Sequence, residues 1–158
     1  MATIVKPPQN LDSIPQKRSI FLAGSIEMGK AEDWQALIGN KLQDFDIVIW
    51  NPRRTLWDNS WEQSIDNPLF KEQVDWELDA LDRAELIFFH FEAHTKSPIT
   101  LLELGLHAPS GKCIVHCPDG FWRKGNIDIV CNRFNVPQVT TLEEGISMLK
   151  EHFKDCIA

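Results

Sequence analysis

The chain has 158 residues, 25% of them charged and 43% hydrophobic, which suits one soluble globular domain able to bury a core. The formal net charge is -7, and basic residues gather in nothing larger than pairs such as Arg53-Arg54, so a duplex nucleic-acid surface is not expected. No apolar run reaches membrane-spanning length, the N-terminus lacks a signal-peptide core, and Cys113, Cys117, Cys131 and Cys156 form no C-x-x-C pair, which together predict a reduced, cytoplasmic protein.

Residues 1–17 are polar and carry Pro7, Pro8 and Pro15, and read as a flexible arm before a domain spanning 18–158. SIFLAG (19–24) is a short apolar run ending in glycine, the pattern of a strand that stops at a tight turn. Residues 31–43 place Trp34, Leu37, Ile38 and Leu42 at helical spacing. FDIVIW (45–50) is a second strand, and residues 51–68 form a loop long enough to suggest a functional role. Residues 69–84 are helical, with Phe70, Val74, Leu78 and Leu81 on one face, and run into a third strand, ELIFFHF (85–91). Ser97-Pro98 is a helix start, a capping hydroxyl followed by proline at the first helical position. KCIVHC (112–117) is a fourth strand, NVPQVT (135–140) a short fifth, and residues 141–153 a closing helix.

This alternation predicts an α/β fold: a single-domain three-layer sandwich with a mostly parallel five-stranded sheet, of the flavodoxin/Rossmann type. Ligands in such sheets bind beyond the carboxyl ends of the strands, where the strand order reverses.

Gly24 to Lys30 matches the G-x-x-x-x-G-K part of a phosphate-binding loop. Ala31 stands where magnesium needs a hydroxyl, and Glu27 would place a negative charge in the cradle. A plain strand-to-helix turn, or one whose amides and Ser25 hydroxyl line a small-molecule site, fits better. SPITLLELG (97–105) sets Glu103 among leucines, sharing a narrow polar stripe with Thr100 and His107. Pattern alone favours a stripe facing water. The functional alternative is a carboxylate held near a helix N-terminus, where the anion needed for nucleophilic attack is stabilised. Asp75, Asp79 and Asp82 share one helix side and read as a solvated face, whereas Glu77 lies elsewhere and is the better second carboxylate. Trp50, Trp57 and Trp61 surround Asn51, Arg53 and Arg54, a set suited either to stacking a heterocyclic base or to closing a core. His90 and His94 straddle a strand end with no carboxylate or cysteine at ligand spacing, so no metal site is expected.

FLAGSI (21–26), WNPRR (50–54), FKEQVDWELDAL (70–81), SPITLLELG (97–105) and GFWRKGN (120–126), in this order, resemble the nucleoside 2-deoxyribosyltransferase family. The resemblance implies transfer of a 2-deoxyribosyl group between nucleobases, with Glu103 as the nucleophile and a covalent deoxyribosyl-enzyme. It implies that Glu77 contacts the sugar or orients the nucleophile, and that Asn126 reaches the sugar 5'-hydroxyl across a subunit boundary of a homo-oligomer. Phe21, Gly24, Ser25, Trp50, Asn51, Arg53, Trp57, Asp75 and Ser97 are the accompanying candidate substrate contacts. The partners implied are 2'-deoxynucleosides and free purine or pyrimidine bases, with no cofactor, no metal, no nucleic acid and no membrane. Two features depart from the family pattern: Phe21 stands in place of a tyrosine and Ser97 in place of an acid. Two alternatives remain, a hydrolase acting on 2'-deoxynucleoside 5'-monophosphates and a non-catalytic nucleotide-binding module or degenerate P-loop protein.

Overall fold

Thr3–Val5 (β1) pairs in parallel with Val48–Trp50 (β3), so the segment expected as a flexible arm supplies an edge strand of the sheet. The remaining strands are Ser19–Gly24 (β2), Leu86–His90 (β4), Cys113–His116 (β5) and Gln138–Val139 (β6). Their order is β1-β3-β2-β4-β5-β6 and every neighbouring pair is parallel. The sheet thus has six strands instead of the expected five. The added strand escapes a periodicity reading because it is three residues long and buries only Val5. The computed structural model describes residues 1–26, 32–54 and 60–158.

Alternating residues of the strands feed two cores, one on each face. Trp34–Lys41 (α1) and Leu142–His152 (α5) press Trp34, Ile38, Ile146 and Leu149 against Ile20, Leu22, Ile49 and Phe88. Pro68–Arg83 (α2), Pro98–His107 (α3) and Lys124–Phe134 (α4) cover the opposite face, bringing Trp76, Leu81, Leu104 and Ile127 onto Phe21, Ala23, Phe89 and Val115. Each fully buried isoleucine or leucine contributes about 1.5–3 kcal/mol to this packing. Helix α4 was not expected from the sequence. Its N-cap, Arg123, makes no side-chain cap bond, and only Ile127 and Cys131 are buried, so neither a start signal nor a full apolar stripe marks it. The starts of α1, α2 and α5 are conventional: Asp33 accepts from Ala36 N–H, Asn67 from Leu69 and Phe70 N–H, and Thr141 from Glu144 N–H.

The chain leaves β2 toward β3 on one side and returns to β4 on the other, so the order reverses between β2 and β4. The two strands meet closely at that seam. A Cβ on Gly24 would lie 2.3 Å from the His90 carbonyl oxygen and 2.5 Å from Trp34 Cζ2, so only glycine fits. All four cysteines are free thiols. Among the described residues no helix is long and apolar enough to cross a membrane.

Candidate active site

The polar stripe of α3 faces inward. Thr100 and Glu103 are buried, while Ile99, Leu102 and Leu106 lie 55–60% exposed on the outer side. This reverses the water-facing stripe that the pattern favoured. The inner side of α3 meets β2, and Thr100 and Glu103 are placed there together with Leu104. Glu103, 8% exposed, is therefore a carboxylate set into protein beside the strand seam.

Its electrostatic neighbour is Glu77 on α2. Burial pushes the Glu103 carboxyl well above the ordinary carboxylate range, and the charge of Glu77 pushes it further. Glu77 itself is raised to about 7 by burial, opposed by a hydrogen bond from Gln73. That bond runs from Gln73 Nε2 to Glu77 Oε1 at 2.7 Å, and the same nitrogen donates to the Pro52 carbonyl at 3.2 Å. Arg54 Nη1 donates to Gln73 Oε1 at 3.5 Å and to Glu72 at 3.2 Å, with its guanidinium 5.0 Å from the centroid of the Trp61 ring. A chain of polar contacts from the loop after β3 thus fixes the Glu77 carboxylate. Gln73 stands one helical turn before Glu77, which is the signal by which the sequence could have revealed it.

The second structural feature is a group of buried hydroxyls at the carboxyl ends of β2 and β4. Ser25 Oγ lies 2.9 Å from Thr95 Oγ1 and 2.7 Å from Ser97 Oγ, and Thr95 and Ser97 are 2.8 Å apart. Ser25 Oγ also accepts from Glu92 N–H, and Thr95 Oγ1 donates to the Glu92 carbonyl. Ser97 does not cap its helix as expected. It sits in the left-handed region at φ 46°, which turns its hydroxyl away from the α3 amides and onto Ser25. Thr95 was missed by sequence reasoning, since nothing in the loop after β4 distinguishes one hydroxyl from another.

Several expected contacts lie elsewhere. Phe21 is fully buried in the core, because β2 is central and covered on both faces. Trp50 belongs to the same core at 5% exposure, so its ring offers no open face for stacking a base. Asp75 is exposed and ion-paired with Lys71 one turn earlier, part of the solvated face with Asp79 and Asp82. Asn51 is buried and its side chain accepts from Arg53 N–H at 3.0 Å, which shapes the start of the loop after β3. The Arg53 guanidinium is taken up by Gln35 and the Glu32 carbonyl, with Asp33 at 3.4 Å. Asn126 is exposed in the first turn of α4. Trp57, and Glu27 to Ala31 of the phosphate-loop-like motif, lie outside the described residues. Among the described residues no group of three or more His, Cys, Asp or Glu side chains could hold a metal ion.

Two neighbouring carboxyls, both raised by burial and Glu103 raised further by the charge of Glu77, form an arrangement suited to nucleophilic and acid–base work at one carbon centre. A conserved protein from Enterococcus faecalis V583, known from its crystal structure, is similar at 13% identity with a TM-score of 0.62, covering 87% of this chain and 99% of that one, a likeness of fold. No curated protein sequence matches the chain. A family model described as nucleoside 2-deoxyribosyltransferase like matches residues 17–121, a stretch that contains β2 to β5, Glu77, Glu103 and all three clustered hydroxyls. The chain belongs to the nucleoside 2-deoxyribosyltransferase-like family.

Proposed function

We propose that the protein transfers a 2-deoxyribosyl group between nucleobases through a covalent ester on Glu103. The observation that carries this reading is the placement of Glu103 and Glu77 together in buried surroundings beside the β2–β4 seam, within a chain of this family. Cleavage of the N-glycosidic bond builds positive charge on the anomeric carbon, and a carboxylate on one face of the sugar traps it. A missing 2'-hydroxyl removes an electron-withdrawing group and makes that charge easier to form. Glu103 attacks as its anion, so the proton it favours must leave first. Glu77, raised to about 7, is able to hold that proton at neutral pH while Gln73 keeps the carboxyl in place. The bond from Glu103 Oε to the anomeric carbon forms as the bond to the base nitrogen breaks. A second base then displaces the glutamate and the configuration is retained.

In this reading Ser25 and Ser97 border the sugar side of the site. Asn126, on the exposed start of α4, contacts the 5'-hydroxyl in a neighbouring copy of a homo-oligomer. The hydrolase alternative draws no support from Arg53 and Arg54, since both guanidinium groups are already engaged by protein oxygens. Incubation with deoxyinosine or thymidine, with and without adenine, tests the proposal by chromatography of the bases and nucleosides. New deoxyadenosine only when both are present supports transfer. Free base without transfer indicates hydrolysis, no turnover of any nucleoside overturns the transferase reading, and no release of base from a 2'-deoxynucleoside 5'-monophosphate overturns the hydrolase.

A further inference from the structure

Gln73 stands on α2 one turn before Glu77 and is buried, so each of its polar atoms needs a partner inside the protein. Its Nε2 carries two hydrogens and meets two acceptors, the Pro52 carbonyl at 3.2 Å and Glu77 Oε1 at 2.7 Å. Its Oε1 faces Arg54 Nη1 at 3.5 Å. Arg54 is itself fixed, by Glu72 at 3.2 Å and by the Trp61 ring, and its side chain is 11% exposed. The Gln73 amide thus bridges the loop after β3 and the Glu77 carboxyl.

Two of these neighbours have a single role. A carbonyl oxygen only accepts, and a guanidinium only donates. Turning the amide over would set its oxygen against the Pro52 carbonyl and its NH2 against Arg54, so one orientation is kept. Glu77 Oε1 is therefore offered an N–H whether the carboxyl is charged or neutral. In a neutral carboxyl the carbonyl oxygen accepts better than the hydroxyl oxygen. A proton taken up by Glu77 consequently belongs on Oε2. Burial raises Glu77 to about 7, so the neutral form is populated at neutral pH. Glu103 from α3 faces this carboxyl, and Arg54 with Glu72 reaches it through Gln73.

We propose that Gln73 is a positioning residue that confines the Glu77 proton to Oε2, its amide held in the necessary orientation by Pro52 and Arg54. The proton assignment stands on the geometry alone, and its effect on rate rests on the base exchange proposed above. Isotope-edited infrared spectroscopy tests the assignment, on the carboxylic C=O band that Glu77→Gln abolishes. The band is expected at lower frequency in the wild type than in Gln73→Met, because only the wild-type C=O oxygen accepts a hydrogen bond. Carbon NMR of the same two proteins should show the Glu77 titration midpoint rise by about one pH unit when that bond is lost. Should Gln73→Met fail to fold, proton–nitrogen NMR of the wild type decides. One Gln73 Nε2 hydrogen is expected to move as Glu77 titrates, while the other, on Pro52, stays. For base exchange, Gln73→Met is expected to lower kcat about tenfold or more at unchanged KM. The rising limb of its kcat/KM profile should move to lower pH, a displacement that a packing role would not produce. An unmoved band and midpoint, or two Gln73 hydrogens that move together, would overturn the proton assignment. A displaced band with unchanged kcat would overturn the positioning role. A wild type without exchange would sink the base-exchange reading, and the infrared result would still decide where the proton sits.

Discussion

Ser97 Oγ lies 2.7 Å from Ser25 Oγ, so the residue that starts α3 is tied by its hydroxyl to the end of β2 and not to its own helix. This bond joins the helix bearing Glu103 to the seam where the strand order reverses. Ser97→Ala removes it together with the contact to Thr95 and is expected to cost about 1–2 kcal/mol in denaturant titration. Ser97→Gly loses the same bonds but adopts φ 46° without a Cβ penalty. The glycine variant should therefore be the more stable of the two by up to about 1 kcal/mol, an inversion of the usual helix ranking. If alanine is the more stable, the left-handed backbone does not govern this position.

The carboxylate pair sets a pH dependence with a definite sign. In the proposed reaction attack requires ionised Glu103, whose value is raised, so kcat/KM for base exchange should rise with pH along a limb displaced above the ordinary carboxylate range and fall in acid. Glu77→Gln removes the negative charge that opposes ionisation of Glu103. The limb is then expected to move to lower pH even as the maximum rate drops. Rate profiles of both proteins between about pH 5 and 9 decide the matter; an unmoved limb would show that the two groups do not interact.

The layering was legible because its signals are redundant. SIFLAG and ELIFFHF are apolar runs of strand length between helical patterns, and any one residue could change without hiding them. β1 and α4 were not legible, since three residues carry no period and α4 lacks a capping side chain. The family resemblance singled out Glu103, whereas the pattern pointed its stripe outward. An amphipathic rule assumes that leucine goes inside, and α3 instead keeps Ile99, Leu102 and Leu106 outside and Glu103 within. Phe21 and Trp50 lie in the core by virtue of burial, a three-dimensional quantity that aromatic character alone does not specify.

Two glycines on either side of the site should respond oppositely to alanine. At Gly24 the added carbon meets the His90 carbonyl and the Trp34 ring, neither of which has room to retreat within the seam. Gly24→Ala is expected to cost about 1–3 kcal/mol or more, as overpacking does. At Gly105, inside α3, the added carbon meets nothing within 4 Å. Gly105→Ala should stabilise the chain by about 0.5–1 kcal/mol through helix propensity alone. Thermal melts of the two variants side by side check both signs, and a stabilised Gly24→Ala would refute the close approach of β2 and β4.

Burial of the Glu103 carboxyl should also leave a mark on stability. Glu77 and Glu103 have raised values in the folded chain, so between the ordinary carboxylate value of 4.5 and about 7 the folded state binds protons that the unfolded state has released. Stability contributed by the protonated pair is present below that window and is lost as pH rises through it. Glu103→Gln removes one of the two ionisable groups and keeps nearly the same shape. At pH 8 it should melt above the wild type, by about 1–2 kcal/mol or a few degrees, with the gap shrinking toward pH 5. The same variant should lose base exchange by about 10³-fold or more, because an amide cannot form the ester. A variant that melts lower at pH 8 would mean that a donor holds the Glu103 anion in the folded chain. Exchange near the wild-type rate would remove Glu103 as the nucleophile. Higher stability with lost activity, both measured on one preparation, is the pairing that a site built from unwilling charges predicts.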